Sequence, residues 1–365
     1  MRLIYLVSLF ISLGTPNASI AQKRINVSHS QNVEILNALS VQTSANWLKD
    51  TLTSPWFMEN SVLMRRSYRH FQPVQQHPLF KTYEHLADKI GTGVYLFSFH
   101  YTDVPNARRK APVSDALLRE LHPNRDSAQY LVDRFMGQLN QFYKDVNFDK
   151  FLVDNEYVYQ SATAEVARNL PDVSFISVLE TYYGAKKHSY TIVVNPFYKT
   201  DWGMGWETTS PEGMNIYNIS APLSKATIGE NQRIVSPGFN NPTEIRRLSV
   251  HEFGHSFVNP LANQATYKSQ IEQFNNLDQP IEGQGQYRDW HTQFCEYIVR
   301  AGEIRIALAM NDSAAAKATE VRDTNWHYLS HFTNQLARYE QNRTKYPTFE
   351  AFFPVLIASL SELKK

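Results

Sequence analysis

The stretch that most restricts what this 365-residue chain can fold into is Arg246-Arg247-Leu248-Ser249-Val250-His251-Glu252-Phe253-Gly254-His255-Ser256-Phe257, which carries a His-Glu-x-x-His spacing. On a helix, residues four apart lie on one face a turn above each other, so His251 and His255 can aim two imidazole nitrogens at a point about 2 Å away. A zinc ion suits that point. Glu252 lies roughly 100° around the helix from His251, outside the ligand line but within reach of a water at the metal, which makes it the natural general base.

The flanking sequence supports the helix. Asn241-Pro242-Thr243 supplies start signals, and Glu244 falls in the first turn, where the macrodipole favours a carboxylate. At about 3.6 residues per turn, Val250, Phe253 and Phe257 share one side, while Leu248, His251 and His255 share another with Glu252 at its edge. The first side predicts core and the second an active face. Gly254 costs roughly 1 kcal/mol in a helix interior relative to Ala, so it is expected to admit a close approach by another backbone or a substrate. The Asn259-Pro260 pair is expected to end the helix. The plain alternative is a surface helix whose charges pair without a metal.

Two imidazoles do not complete a catalytic zinc site, which usually has three protein ligands and an open fourth place. A second helix is predicted over residues 290–310, with Trp290, Phe294, Tyr297, Ile298, Ala301 and Leu308 as a core stripe and Glu296, Arg300 and Glu303 opposite. A helix apolar around most of its girth is buried, so this charged strip needs a partner. Glu296, Glu303 and His291 are the candidates for a third ligand; an i,i+4 pair of Glu296 with Arg300 is the plain alternative. Glu303 and Asn259 are candidates to orient the imidazoles from behind. For an oxyanion donor, the segment Trp326-His327-Tyr328-Leu329-Ser330-His331 offers Tyr328 or His327.

At these residues the chain resembles the zincin metallopeptidases. The metzincin branch extends the motif with a Gly and a third His, and Val258 and Leu261 stand in their places here. The gluzincin branch takes its third ligand from a Glu on a downstream helix. The run Phe294-Cys295-Glu296-Tyr297-Ile298-Val299-Arg300-Ala301 is similar to that segment in a little-characterised family, a domain of unknown function, of secreted bacterial gluzincin-like proteins. The likeness extends to Val33-Glu34-Ile35-Leu36, Glu180-Thr181-Tyr182-Tyr183-Gly184, Tyr346-Pro347-Thr348-Phe349 and Phe353-Pro354. It implies an α+β, zincin-like fold, with a small mixed sheet whose edge strand lies beside the active-site helix and mostly helical N-terminal and C-terminal parts. It also implies zinc (Zn2+) held by His251, His255 and Glu296, and peptide hydrolysis with Glu252 as base.

The rest of the chain is expected to frame that site. Met1-Arg2, the apolar run Leu3 to Leu13 and the small residues Ser19 and Ala21 read as a secretory signal peptide over 1–21, cleaved after Ala21 into a secreted or periplasmic protein. A retained membrane anchor is the other reading of this stretch. No later run reaches the eighteen or so apolar residues of a transmembrane helix, so no stable membrane insertion is expected after cleavage. With 36 basic against 35 acidic residues and no basic stripe, nothing marks a nucleic-acid partner. A single Cys excludes an internal disulfide, and Cys295 reads as core packing.

Residues 22–172 are expected to be mainly helical and to pack on a catalytic part over 173–365. The segment 33–39 is an early helix or strand, and helices are predicted at 78–90, 114–120 and 127–146. Strands are predicted at 173–179, 190–195, 213–219 and 232–235, with 190–195 or 214–219 as the cleft edge that an extended peptide would pair with. Asp201-Trp202-Gly203-Met204-Gly205-Trp206 is either a substrate flap or a loop whose tryptophans cap the core. The expected function is a secreted zinc metallopeptidase acting on a peptide or protein substrate. The rivals are a zincin-shelled binding protein without turnover and a zinc hydrolase of a non-peptide amide or ester.

Overall fold

The computed structural model describes residues 25–47, 62–172, 174–197, 202–279, 281 and 289–364; the expected signal peptide lies outside them. It opens with strand β1 (Ile25–Ser28). Among the described residues the α-helices that follow are α1 (Gln31–Trp47), α2 (Val62–Phe71), α3 (Leu79–Ile90), α4 (Asp115–Leu121), α5 (Arg125–Asp145), α6 (Phe148–Arg168) and α7 (Phe175–Tyr183). Strands β2 (Ser189–Val194), β3 (Gly203–Ser210) and β4 (Gly213–Ser220) come next, then a small hairpin and helices α8 (Pro242–Ala262), α9 (Ala265–Glu272), α10 (Trp290–Ala309), α11 (Ser313–Arg322), α12 (Leu329–Gln341) and α13 (Phe349–Ala358). The architecture is α+β with a small mixed sheet between helical parts, as the sequence implies.

The sheet runs in the order β1-β2-β4-β3. β1, β2 and β4 are parallel, and β3 returns antiparallel to β4 as an edge. Alternation along the strands splits the interior in two. Tyr190, Ile192, Val194 and Ile216 point into a core built with α8, α10, α12 and α13. Val193 and Ile219 point the other way, into a core built with α1 to α6. The helical N-terminal half therefore backs the sheet on the face away from α8. It also supplies β1 to the sheet, and Ala162 and Val166 of α6 to the other core, so the two halves interlock across any cut near residue 172.

Several expectations are corrected. The strand expected over 173–179 is not formed by 174–179, the described part of it: α7 buries Phe175, Ile176, Leu179, Tyr182 and Tyr183, a one-sided helical spacing that outweighs the β-branched composition of its first residues. The helix after the motif does not stop at Pro260 but runs on to Ala262. Proline removes the N–H that Ser256 would otherwise receive, and Lys187 Nζ donates to the Ser256 carbonyl at 2.7 Å in its place. Neither 190–195 nor 214–219 is the edge, since β2 and β4 are both flanked on two sides. The edge strand beside α8 is β3, which contains the Gly203-Met204-Gly205-Trp206 run.

That strand divides its side chains between the two faces. Trp202, Met204 and Trp206 pack on the N-terminal core, so the capping role of the tryptophans holds although the segment is a strand rather than a loop. Trp206 Nε1 donates to His100 Nε2 at 3.2 Å. Burial lowers His100 to about 4, which keeps its ring neutral and able to accept. Gly203 and Gly205, on the opposite face, lie against α8.

Candidate metal centre

α8 begins where the sequence places it: the Asn241 side chain accepts from the Glu244 backbone N–H at 3.1 Å, with Pro242 in the first turn. Its core side meets Tyr190, whose ring lies 5.2 Å from Phe253, and Tyr183, stacked at 4.5 Å on Phe257. α10 packs against this helix, and each of the two turns a glycine toward Tyr183 of α7. A Cβ on Gly254 or on Gly302 would come within 3.2 or 3.0 Å of the Tyr183 hydroxyl. Gly254 thus makes room for a buried side chain, where the sequence suggested a backbone or substrate.

The crossing brings three donors together. Among the described residues, one ligand atom each from His251, His255 and Glu296 lie within 4.8 Å of one another. His255 Nε2 is 3.3 Å from His251 Nε2. Glu296 Oε1 is 3.3 Å from His255 Nε2, and Oε2 is 3.6 Å from His251 Nε2. His251, Glu252 and Glu296 are buried, and His255 is the most open of the four.

The far side of each ring fixes its tautomer. His251 Nδ1 lies 2.7 Å from Glu303 Oε1, and His255 Nδ1 lies 3.2 Å from Asn259 Oδ1. Both oxygens are acceptors, so in the neutral rings each Nδ1 carries the proton and both Nε2 lone pairs converge. Two lone pairs held this close repel unless a cation lies between them. Two nitrogens each about 2.0–2.1 Å from a tetrahedral centre stand about 3.3 Å apart, the separation seen here. Glu296 Oε2 is buried and lies 3.3 Å from Arg300 Nη2, while Oε1 is turned to His255 Nε2, so the carboxylate offers Oε1 to the same centre. The donor set fits a divalent ion of the zinc type.

Electrostatics agree with a site built for positive charge. Burial alone lowers His255, but the hydrogen bond and charge of Glu296, the charge of Glu252 and the Asn259 contact outweigh it and raise the imidazole. Burial alone raises Glu296, yet His251, His255 and Arg300 hold its carboxyl well below the usual range. Glu303 is likewise raised by burial and lowered further by His251, Arg322 and Arg247.

Of the sequence candidates, Glu296 faces both imidazoles, whereas Glu303 sits behind His251 as the orienting carboxylate. The i,i+4 pair of Glu296 with Arg300 exists, at 3.3 Å, but it is buried rather than solvated. His291 Nε2 lies 3.2 Å from the Ala262 carbonyl at the end of α8. Tyr328 packs its ring on Trp290 and Tyr297, and His327 lines a surface cavity with Asp323, Trp326 and Ser330. Neither makes a hydrogen bond or ring contact with the imidazole pair among the described residues. Cys295 is buried, and burial pushes its thiol up, as core packing requires.

Two features were missed by sequence reasoning. One is the glycine face of β3: a Cβ on Gly203 would lie 2.6 Å from Glu252 Oε1, and one on Gly205 would lie 2.5 Å from the Glu252 carbonyl oxygen. Only glycine lets the edge strand lie this close over the base. Glycines alternating with Met204 and Trp206 were the available signal. The other is a pair of charges behind the ligands, Arg322 and Asp323, which come from a distant segment and carry no local signature.

The sequence model of one family, described as a domain of unknown function (DUF4932), matches residues 109–359 of this chain. No curated protein and no solved structure matches it.

Proposed function

The chain belongs to the DUF4932 family, and from the chemistry of its α8–α10 crossing we propose that it is an exported zinc-dependent metallopeptidase. The observation that carries the reading is the converging pair of Nε2 lone pairs 3.3 Å apart, with both Nδ1 atoms tied to oxygens and Glu296 opposite. His251, His255 and Glu296 would hold the ion. Bound there, zinc would polarise a substrate carbonyl and make water more acidic. Glu252, pressed beneath β3 and close enough to act electrostatically on His255, would take the proton of the attacking water and return it to the leaving nitrogen.

A peptide substrate is favoured by the edge strand. Among the described residues β3 pairs with β4 on one side only, and such an edge beside the base offers backbone donors and acceptors to an extended chain without dictating its side chains. A purely structural metal has no use for a base next to its ligands, and Glu252, adjacent to His251 in the chain, therefore speaks for turnover. Export rests on the apolar run Leu3 to Leu13 and the small residues before Gln22; no helix among the described residues is long and apolar enough to cross a membrane. The test is hydrolysis of a generic denatured protein, arrested by a chelator and restored by zinc. Intact substrate after incubation with zinc-loaded protein would reject the reading.

A further inference from the structure

Behind the two ligands that come from different helices, the charges close into a ring. His251 Nδ1 meets Glu303 Oε1 at 2.7 Å, and Glu303 Oε2 accepts from Arg322 Nη2 at 3.0 Å. Arg322 grips Asp323 with two nitrogens, its Nε at 2.8 Å from Oδ1. Asp323 Oδ1 also accepts from Arg300 Nη1 at 3.1 Å, and Arg300 Nη2 lies 3.3 Å from Glu296 Oε2. Asp323 is buried, sits just past the end of α11, and is the one carboxylate joined to both arginines of the ring.

We infer that Asp323 is a positioning residue for the metal centre, setting His251 through Arg322 and Glu303 and setting Glu296 through Arg300. This rests on the metal reading above. Arg247 also lies 3.8 Å from Glu303 Oε2 and is itself paired with Glu244 at 2.6 Å. Without Asp323 the guanidiniums of Arg247, Arg300 and Arg322 would be matched one for one by Glu244, Glu296 and Glu303; Asp323 adds a fourth carboxylate, and the excess negative charge favours a dication. Geometry works in the same direction. Asp323 anchors one nitrogen of Arg300, whose guanidinium lies 4.3 Å over the Trp326 ring. Arg300 is thereby kept to Glu296 Oε2, leaving Oε1 turned to His255.

The experiment is zinc affinity, measured by chelator competition on the full chain, together with the melting temperature of the metal-free protein. Asp323→Asn is expected to weaken zinc binding about tenfold to a hundredfold, and Asp323→Glu to recover part of it. The exposed pair of Asp115 with Arg125 supplies the control: Asp115→Asn should bind zinc like the wild type. A folded Asp323→Asn protein that melts lower yet binds zinc with wild-type affinity would show a purely structural role and overturn the inference. If Asp323→Asn fails to fold, Arg322→Lys decides, because it keeps the charge and loses the two-pronged grip. Several-fold weaker zinc binding supports the inference, and unchanged affinity overturns it. A wild-type chain that takes up no zinc is a different failure, and it removes the parent reading together with this one.

Discussion

Gly205 and Glu252 touch through their backbones: a Cβ on Gly205 would stand 2.5 Å from the Glu252 carbonyl oxygen and 3.1 Å from Oε2. Backbone cannot swing aside as a side-chain tip can, so Gly205→Ala must lift β3 from α8 or push the base away. The expected cost is about 1–3 kcal/mol of stability, with a larger proportional loss of peptide hydrolysis than of zinc affinity. Melting curves and zinc titrations of the same preparation check this.

Glu252 and His251 should separate chemistry from metal binding. Glu252→Gln keeps the shape and removes the base, so zinc content should stay at the wild-type level while turnover falls about a hundredfold to ten-thousandfold. His251→Ala should lose both zinc and turnover. Metal analysis beside kcat on an unstructured protein substrate distinguishes them, and a Glu252→Gln variant with full activity would remove Glu252 from the mechanism.

Lys187 substitutes for the N–H that Pro260 lacks. Its Nζ donates to the Ser256 carbonyl and stands 4.7 Å from the centroid of the Phe257 ring, one turn beyond the motif. Lys187→Met should leave that carbonyl without this bond and destabilise the protein by about 1–3 kcal/mol. Chemical denaturation gives the value; an unchanged midpoint would mean that another donor or water takes over.

How much of this was legible in the chain depended on the distance over which each signal acts. The α8 cap at Asn241, its two faces and the pairing of Glu296 with the imidazoles all follow from spacing within one helix or from a family resemblance. Residues 173–179 misled because Val173, Ile176 and Val178 weigh toward a strand, whereas the burial spacing of α7 emerges only when the window extends to Tyr183. The β3 edge was hidden for the opposite reason. Its glycines look like a loop until the α8 backbone is known to lie against them. Arg322 and Asp323 reach the site only through tertiary packing of α11 on α10, a placement that no local periodicity encodes.

Glu34 supplies a pH test remote from the metal centre. Burial raises its carboxyl to about 8 from an ordinary 4.5, against the opposing hydrogen bonds of Tyr159 and Asn37. An acid with a higher pKa folded than unfolded binds its proton more tightly in the folded chain. Its contribution is therefore full below about 4.5 and is lost as pH rises to about 8. Glu34→Gln should flatten this part of the stability profile and leave the variant more stable than wild type near pH 8 by on the order of a few kcal/mol. Denaturation midpoints at pH 5 and pH 8 for both proteins provide the comparison.

The central claim is that His251, His255 and Glu296 together hold one zinc ion. X-ray absorption at the zinc edge on the purified full chain tests it most directly. The account predicts one zinc per chain with two imidazole nitrogens at about 2.0–2.1 Å and the rest of the shell oxygen at about 2.0–2.2 Å. A spectrum with no zinc, or one showing sulfur at about 2.3 Å, would contradict it.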